Sequence, residues 1–462
     1  MEGGSAMIKK IVPILFLLLA GTGLLFAVDF GGLIYNETGF AAGGSETDGN
    51  ASLRQLDTFT LWFNSGTHKN VVFYAGGSYT LDFTGPSTLS HIFDIYDFKL
   101  VGTFPGPGTG PNQFSFTLGR FQSDDFTGRF FTHDLDGFRF GITHPALTII
   151  TDIGFAGFQF KSSSSMQISK LDYNEEDMST VILGPKRLVG LAEINFTNLF
   201  ERQTLSISAL AQEDLRTVFL ADSADILSTP IQEGETSYTP ERGGLIDTQY
   251  FLLGLKGPIT TGLYYDVFGG INTGRSLSYI DGVYTYTPII GVSAGFNVRY
   301  YNRNALYSRA DLGLTFASGD QDSTVFLEGN TEKRNTMFTP ASVIPTGTVF
   351  SPVLSNLFYL ETSYSLKPFS FLKSSLGDKL EAGTGLLFFF RSTPTPISAG
   401  GIDPDSESLY LGTELDASID FRLFSDTGFS IVAGWFFPSK AAFLPAREPA
   451  WFVGKLTASL SW

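Results

Sequence analysis

The feature that most constrains this chain is a period of two, in which small or polar residues alternate with large apolar ones. Between residues 408 and 422, the odd positions include Leu411, Leu415 and Ile419, whereas the even positions include Glu414 and Asp416. The same division recurs at 290–299, 306–316 and 452–462. Because successive side chains of a β-strand point to opposite faces, the pattern predicts strands with one apolar and one polar face.

The alternating segments predict about 18 strands, within a range of 16 to 18, and most of their connections are long and short in turn. The two longest connections are 213–246 and 318–355, and tight turns are expected at 65–67, 143–145, 256–258, 301–304 and 425–428. A water-soluble β-sandwich shows the same alternation, but it has no reason to sort its connections by length. Outer-membrane barrels do sort them, with short periplasmic turns and long external loops. The sequence therefore predicts an all-β fold, a transmembrane antiparallel β-barrel. One of its longest strands is predicted at residues 146–161.

The N-terminal segment has the pattern of an export signal. Met7, Ile8, Lys9 and Lys10 form a short basic region, and an apolar run follows from Ile11 to Ala27. We predict a signal peptide over residues 1–27, cleaved after Ala27, with residues 1–6 preceding it as an N-terminal extension. A retained membrane anchor is the alternative, since the length of the run borders on that of a spanning helix. Residues 28–462 then form a single barrel domain in an outer membrane.

Composition excludes several classes of function. The chain has no cysteine, which excludes disulfides, thiolate metal sites and a catalytic thiol. Its 46 acidic residues outnumber 30 basic ones, and this argues against nucleic acid as a partner. An enzyme would have to combine His133 with Asp134 or Asp136, and calcium would have to use Asp320 with Asp322 or the run 403–407. A loop histidine and solvated acidic loops are the simpler interpretations, so we predict neither an enzyme nor a cofactor or metal.

Several short motifs resemble those of a known family. They are Phe116-Thr117-Leu118-Gly119-Arg120-Phe121, Gly128-Arg129-Phe130, Leu135-Asp136-Gly137-Phe138-Arg139-Phe140, Phe316-Ala317-Ser318-Gly319-Asp320, Leu411-Gly412-Thr413-Glu414-Leu415-Asp416 and Gly434-Trp435-Phe436-Phe437-Pro438. In these motifs the sequence resembles alginate-export-type bacterial outer-membrane β-barrels, a porin-like family. The resemblance implies an 18-stranded barrel. The last strand, which ends in Trp462, also resembles the terminal strand by which barrel assembly machinery recognises its clients.

Charged residues on the polar face are the candidate functional residues, because an Arg or Lys facing lipid at mid-depth costs about 2 to 4 kcal/mol. Arg120 instead shares the apolar alternation of its strand, so it is expected at the membrane interface or after a bulge. The predicted pore-lining residues are Arg139, Arg299, Arg309, Asp311, Glu381, Arg391, Glu414, Asp416, Asp420, Arg422 and Lys455.

These residues predict a porin-like channel for the diffusion of small hydrophilic solutes, with 318–355 or 213–246 folded inward as a constriction. A transporter of hydrophobic substrates is one alternative, with a path along Tyr264, Phe268, Tyr359 and Phe389. The other is a surface adhesin or structural barrel that acts through its external loops. The expected partners are outer-membrane lipid, the barrel assembly machinery and small solutes.

Overall fold

The computed structural model describes the chain from Val28 to Trp462 with several gaps. The described ranges are 28–44, 51–85, 88–106, 112–157, 164–177, 184–219, 227, 229–239, 242–324, 326–327, 334–372, 377–447 and 449–462. The predicted signal peptide at 1–27 lies outside them.

In these ranges the chain forms eighteen β-strands, as the alternation predicts. Their bounds are β1 Val28–Ala42, β2 Ala51–His68, β3 Val71–Thr84, β4 Thr88–Pro105, β5 Gln113–Asp124, β6 Thr132–His144, β7 Leu147–Phe155, β8 Arg187–Leu199, β9 Gln203–Asp214, β10 Asp247–Thr260, β11 Leu263–Ile280, β12 Val283–Asn302, β13 Ser308–Ala317, β14 Leu357–Leu366, β15 Leu380–Arg391, β16 Tyr410–Arg422, β17 Thr427–Pro438 and β18 Trp451–Ser461.

Helical structure in the described ranges is confined to short elements between strands. They are helix α1 Lys170–Asp177, helix α2 Arg216–Phe219 and the 3₁₀ turns Ser370–Leu372 and Pro445–Arg447. No helix in this part of the chain has the length and apolar character needed to cross a bilayer.

The strands form one closed antiparallel sheet. Each strand pairs with its neighbours in the chain, and β1 closes the barrel on β18 from Leu33 opposite Ser461 to Ala42 opposite Phe452. Closure pairs the backbone N–H and C=O groups of every strand on both sides, which is what a strand needs in a hydrocarbon environment. The prediction of an 18-stranded antiparallel barrel is confirmed.

The longest connections lie together at one end of the barrel. The links 156–186, 215–246 and 318–356 all lie at one end of the barrel, because each joins an odd-numbered strand to the next even-numbered one. The opposite end has hairpins as short as 69–70, 145–146 and 261–262. We refer to the ends as the external and the periplasmic end, following the orientation predicted from the sequence.

Three predicted boundaries are wrong. The strand expected at 146–161 ends at Phe155, and the turns expected at 65–67 and 256–258 lie inside β2 and β10. In both of these strands the pairing register shifts at that point, between Gly66 and His68 and between Pro258 and Thr260. A β-bulge accommodates a residue that does not pair, so glycine and proline there bend the strand without ending it.

The outer face of the barrel is apolar, and within the described ranges it is uncovered over most of its extent, the external ends of β11 and β12 excepted. Side chains such as Leu118, Ile153, Phe251, Phe296 and Ile431 are exposed on the outward alternation of their strands. Such a continuous apolar surface requires a lipid environment.

Arg120 interrupts this apolar face near the external end. Its guanidinium contacts Asp136 of β6 at 2.7 Å and 2.5 Å and donates to the backbone carbonyl of Ile95 at 2.8 Å. Ile95 lies where β4 bulges, since the pairing of β3 with β4 shifts between Gly76 and Ser78. Arg120 therefore lies beside a bulge of the neighbouring strand, and its charge is compensated by Asp136.

Candidate functional site

Links from the external end fill the upper part of the lumen. The ring of Phe130, in the link 125–131, lies 5.5 Å from Phe268 of β11 and 5.1 Å from Phe338 of the link 318–356. The two links are also joined through their backbones, because the N–H of Ser342 donates to the carbonyl of Phe130 at 3.0 Å. The inward folding predicted for 318–355 is thus observed.

The described part of the link 215–246 around Ile231 does not fold into the lumen as the link 318–356 does. Ile231 packs with Leu277 and Tyr284 in a small apolar cluster, with Tyr279 and Tyr286 beside it. These four partners belong to the outward alternation of β11 and β12, beyond the external ends of the neighbouring strands. The suggestion that 213–246 forms the constriction is therefore wrong for the part around Ile231, because the apolar partners of Ile231 lie on the outer surface.

Glu414 of β16 holds the tip of the link 318–356 against the wall. Its carboxylate accepts the backbone N–H groups of Thr348 at 2.5 Å, Val349 at 3.1 Å and Phe350 at 2.6 Å. The ring of Phe350 stacks on Phe436 of β17 at 4.3 Å. Glu414 is fully buried under this tip. It points inward, as its alternation predicts, but it positions the constriction and does not face an open lumen.

Arg129 connects the link 125–131 to the opposite wall of the barrel. Its Nη1 donates to the Tyr359 hydroxyl and, at 3.3 Å, to Thr315 Oγ1, and its Nη2 lies 3.4 Å from Glu361 Oε1. Sequence reasoning did not select Arg129 for the pore, because it lies in a link and has no strand alternation to orient it.

Below the tip of the long link, a cavity of about 680 Å³ extends toward the periplasmic end. Its cationic side chains come from the link 125–131, β12 and β13, and its acidic ones come mainly from β14, β15 and β16. The charged lining residues are Arg129, Arg299, Arg309, Asp311, Glu361, Glu381 and Asp416. The cavity thus has charges of opposite sign on different parts of its wall.

Among the described residues, the charged side chains form ion pairs on one part of this cavity wall and not on the other. Asp311 accepts Arg299 Nε at 2.7 Å and Arg309 Nε at 2.6 Å, so one carboxylate serves two guanidinium groups. Glu381 lies opposite Asp420 in the pairing of β15 with β16, which places two carboxylates side by side. The β12–β13 part therefore carries excess positive charge and the β15–β16 part excess negative charge.

A second cavity of about 630 Å³ lies along β10, β11 and β12. It shares Arg129, Asn297 and Arg299 with the first cavity and adds Lys256 and Asp266. The two cavities therefore meet beside the Arg129 guanidinium.

The remaining predicted pore residues occupy other parts of the inner wall. Arg139 contacts Asp152 at 2.7 Å and covers the ring of Phe121. Arg391 is buried and donates to the carbonyls of Ser406 and Ser408 in the link 392–409. Asp420 and Arg422 continue the inward face of β16 toward the periplasmic end, and Lys455 lies 3.8 Å from Glu37 of β1.

A buried ion-pair cluster anchors the link 156–186. Arg187 and Arg216 both contact Asp172 of α1, and Arg216 also contacts Asp214 and Glu175. Burial alone would raise the pKa of Asp172, but the two guanidinium groups lower it to about 2. The sequence contains no signal for this cluster, because its charged residues are far apart in the chain and are typical of solvated loops.

The four aromatic residues of the hydrophobic alternative do not form an exposed path. Phe389 is packed against Phe350, Tyr359 is hydrogen-bonded to Arg129, and Phe268 packs on Phe130. Of the four, only Tyr264 is exposed, at 42%.

The residues considered for catalysis and for metal binding are placed apart from these cavities. His133 is buried, with Nε2 2.8 Å from the carbonyl of Ala156 and Nδ1 2.7 Å from Ser165 Oγ, while Asp136 contacts Arg120. Within the described ranges, His, Asp and Glu side chains form no group of three that could hold a metal ion.

Several solved structures share this architecture, and one of them is described as an outer membrane protein. The chain is similar to OccAB1 of Acinetobacter baumannii, with a TM-score of 0.57 and 11% identity over 94% of this chain and 96% of that one. It is also similar to OccK2 (OpdF) of Pseudomonas aeruginosa, at a TM-score of 0.53 and 13% identity over 94% and 97%. For the outer membrane protein OpdK of the same organism, the TM-score is 0.53 and the identity is 12%, over 94% of this chain and 99% of that one.

At such identities the likeness concerns the fold. It supports a porin-like barrel, but it does not support the narrower alginate-export type. No protein-family model matches the sequence, and no curated protein matches it.

Proposed function

We propose that this chain is an outer-membrane channel through which small hydrophilic solutes diffuse. The observation that carries the proposal is the cavity of about 680 Å³ inside the closed barrel, whose wall presents arginines on one part and carboxylates on another. Low-dielectric walls strengthen the field of such charges, so a polar solute is oriented as it passes. The likeness of the fold to that of the outer membrane protein OpdK supports the same proposal.

The links that fill the external half of the lumen restrict how solutes enter. Phe130, Phe338 and Phe350 pack there with side chains of the wall. A solute must therefore pass a narrow route beside Arg129, or the link 318–356 must move. We expect a low single-channel conductance for a barrel of this size.

Location in the outer membrane, export by the signal peptide at 1–27 and assembly through the strand ending in Trp462 belong to the same proposal. The narrower kinship with alginate-export-type barrels stays a prediction from the short motifs. We propose no catalytic role, cofactor or metal.

Reconstitution in planar lipid bilayers tests the channel. We expect small ohmic pores with weak preference for cations, because the carboxylates lining the cavity slightly outnumber its arginines. Heat-modifiable gel migration of the same preparation serves as the control for folding. Folded protein without conductance would overturn the proposal in favour of an adhesin or structural barrel. Uptake of a long-chain fatty acid by liposomes that exclude an amino acid would favour the hydrophobic transporter.

A further inference from the structure

The link between β5 and β6 is wound around one buried carboxylate, that of Asp125. Its Oδ1 accepts the backbone N–H of Thr127 at 2.8 Å and also the hydroxyl of the same residue. Its Oδ2 accepts the backbone N–H groups of Phe130 at 3.1 Å and Phe131 at 2.8 Å. The residue is only 3% exposed. Every segment of this link is therefore held by the Asp125 carboxylate.

The same link turns sharply before Arg129. Gly128 has a φ of +61°, in the left-handed region that glycine adopts without strain, and its N–H donates to the carbonyl of Asp125 at 2.9 Å. The Thr127 hydroxyl, which donates to the Asp125 carboxylate, accepts the backbone N–H of Arg129 at 3.1 Å. The backbone of Arg129 is thus tied to Asp125 through a single hydroxyl.

From this turn, the side chain of Arg129 reaches partners on other strands. Its guanidinium contacts side chains of β13 and β14, as described above, and its Cζ lies 5.7 Å from the centre of the Phe268 ring on β11. The turn therefore fixes the backbone of Arg129, and the distant wall fixes the guanidinium. A change in the turn moves the backbone and withdraws the guanidinium from the junction of the two cavities.

We propose that Asp125 is a positioning residue for ion selectivity, which acts by holding Arg129 at the junction of the two cavities and not through its own charge. The inference rests on the proposed channel function. Each carboxylate oxygen of Asp125 accepts at least one backbone N–H. An asparagine there would face a backbone N–H with its own NH₂ group, whichever way its amide is turned, so the turn would open.

The sign of the effect distinguishes positioning from direct electrostatics. Loss of the Asp125 carboxylate makes the lumen less negative and by itself shifts selectivity toward anions. Displacement of Arg129 removes a positive charge from the path of the ions and shifts selectivity toward cations. A carboxylate whose removal favours cations must therefore act through the guanidinium.

The test is the reversal potential of the full-length protein in planar bilayers at low salt. We expect Asp125→Asn to shift it toward cations, as Arg129→Gln does, and the double variant to shift it no further than Arg129→Gln alone. Thr127→Val removes the linking hydroxyl without a change of charge, so it should cause a smaller shift in the same direction. Asp124→Asn is the matched control, because it removes the same charge at the neighbouring exposed position and should cause no shift toward cations.

Three results would overturn the proposal. They are a shift toward anions or no shift in Asp125→Asn, additive shifts in the double variant, and an unchanged potential in Arg129→Gln. If Asp125→Asn does not assemble into a heat-modifiable barrel, Thr127→Val decides, and an unchanged potential in that variant would count against positioning. A folded wild-type protein without any conductance would instead contradict the channel function itself, and this inference with it.

Discussion

The carboxylate of Glu414 accepts the backbone N–H of Phe350 at 2.6 Å, which ties the tip of the link 318–356 to the inner wall of β16. A carboxylate that accepts several backbone N–H groups is a strong anchor, since hydrogen bonds to a charged group contribute about 1.5–3 kcal/mol each. The stacking of Phe350 on Phe436 fixes the same tip from its other side. The width of the lumen therefore depends on a contact between one strand residue and a distant link.

Replacing this carboxylate should loosen the constriction without unfolding the barrel. Glu414→Gln keeps the size of the side chain but replaces a charged acceptor with a weaker one and turns an acceptor oxygen into a donor. We expect larger and noisier single-channel currents, measured in planar bilayers, with heat-modifiable migration retained.

Asp416, two residues along the same face, provides the matched control. It lines the large cavity, so Asp416→Asn should shift the reversal potential toward anions and leave the open-channel noise unchanged. If Glu414→Gln instead shifts the reversal potential as much as Asp416→Asn does, Glu414 contributes charge to the conduction path and not only an anchor.

A second prediction concerns Arg129. Arg129→Gln removes a positive charge where the two cavities meet and also breaks the contacts with Tyr359 and Glu361. We expect a higher conductance and a reversal potential shifted toward cations at low salt, with the shift fading as salt screens the charges. Glu361→Gln should shift the potential in the opposite direction, and the double variant should return it close to the wild-type value. An unchanged potential in Arg129→Gln would show that ions do not pass this guanidinium.

The inner face could be predicted from the sequence because strand alternation is a local property. Asp416, Asp420 and Arg422 lie on the predicted face, as their spacing on one strand requires. The covering of Glu414 could not be predicted, because it depends on where the tip of a long link meets the wall, and links have no periodicity that orients their side chains. Arg129 was missed for the same reason.

The cluster around Asp172 shows a different limit of sequence reasoning. Charged residues in long links are usually solvated, yet Asp172, Arg187 and Arg216 are fully buried because each finds a partner from another segment. Such pairings depend on tertiary geometry and leave no short motif.

The same cluster predicts how the link 156–186 responds to acid. The pKa of Asp172 is lowered from 3.8 to about 2 in the folded chain, so its ion pairs stabilise the link fully above about pH 4 and are lost as the pH falls through about 2. Cleavage of residues 164–177 by an acid-stable protease should therefore stay low at pH 4 and increase near pH 2. Asp172→Asn should make the segment cleavable already at pH 4, because it leaves two buried guanidinium groups undercompensated, a loss of about 3–5 kcal/mol. Lys170→Gln, at an exposed position of α1, is the control and should behave as wild type.

The last prediction concerns the orientation of the barrel, and the absence of cysteine from the sequence makes it simple to test. If both termini of the barrel are periplasmic, links from odd-numbered to even-numbered strands face outward. Glu233 lies in such a link, 215–246, and Ser425 lies in the short link 423–426 at the other end, and both are exposed. A membrane-impermeant maleimide added to intact cells should label Glu233→Cys and leave Ser425→Cys unlabelled, whereas permeabilised cells should show labelling of both variants. Because each variant carries a single thiol, every signal reports one position. Labelling of Ser425→Cys alone in intact cells would show that the barrel has the opposite orientation in the membrane.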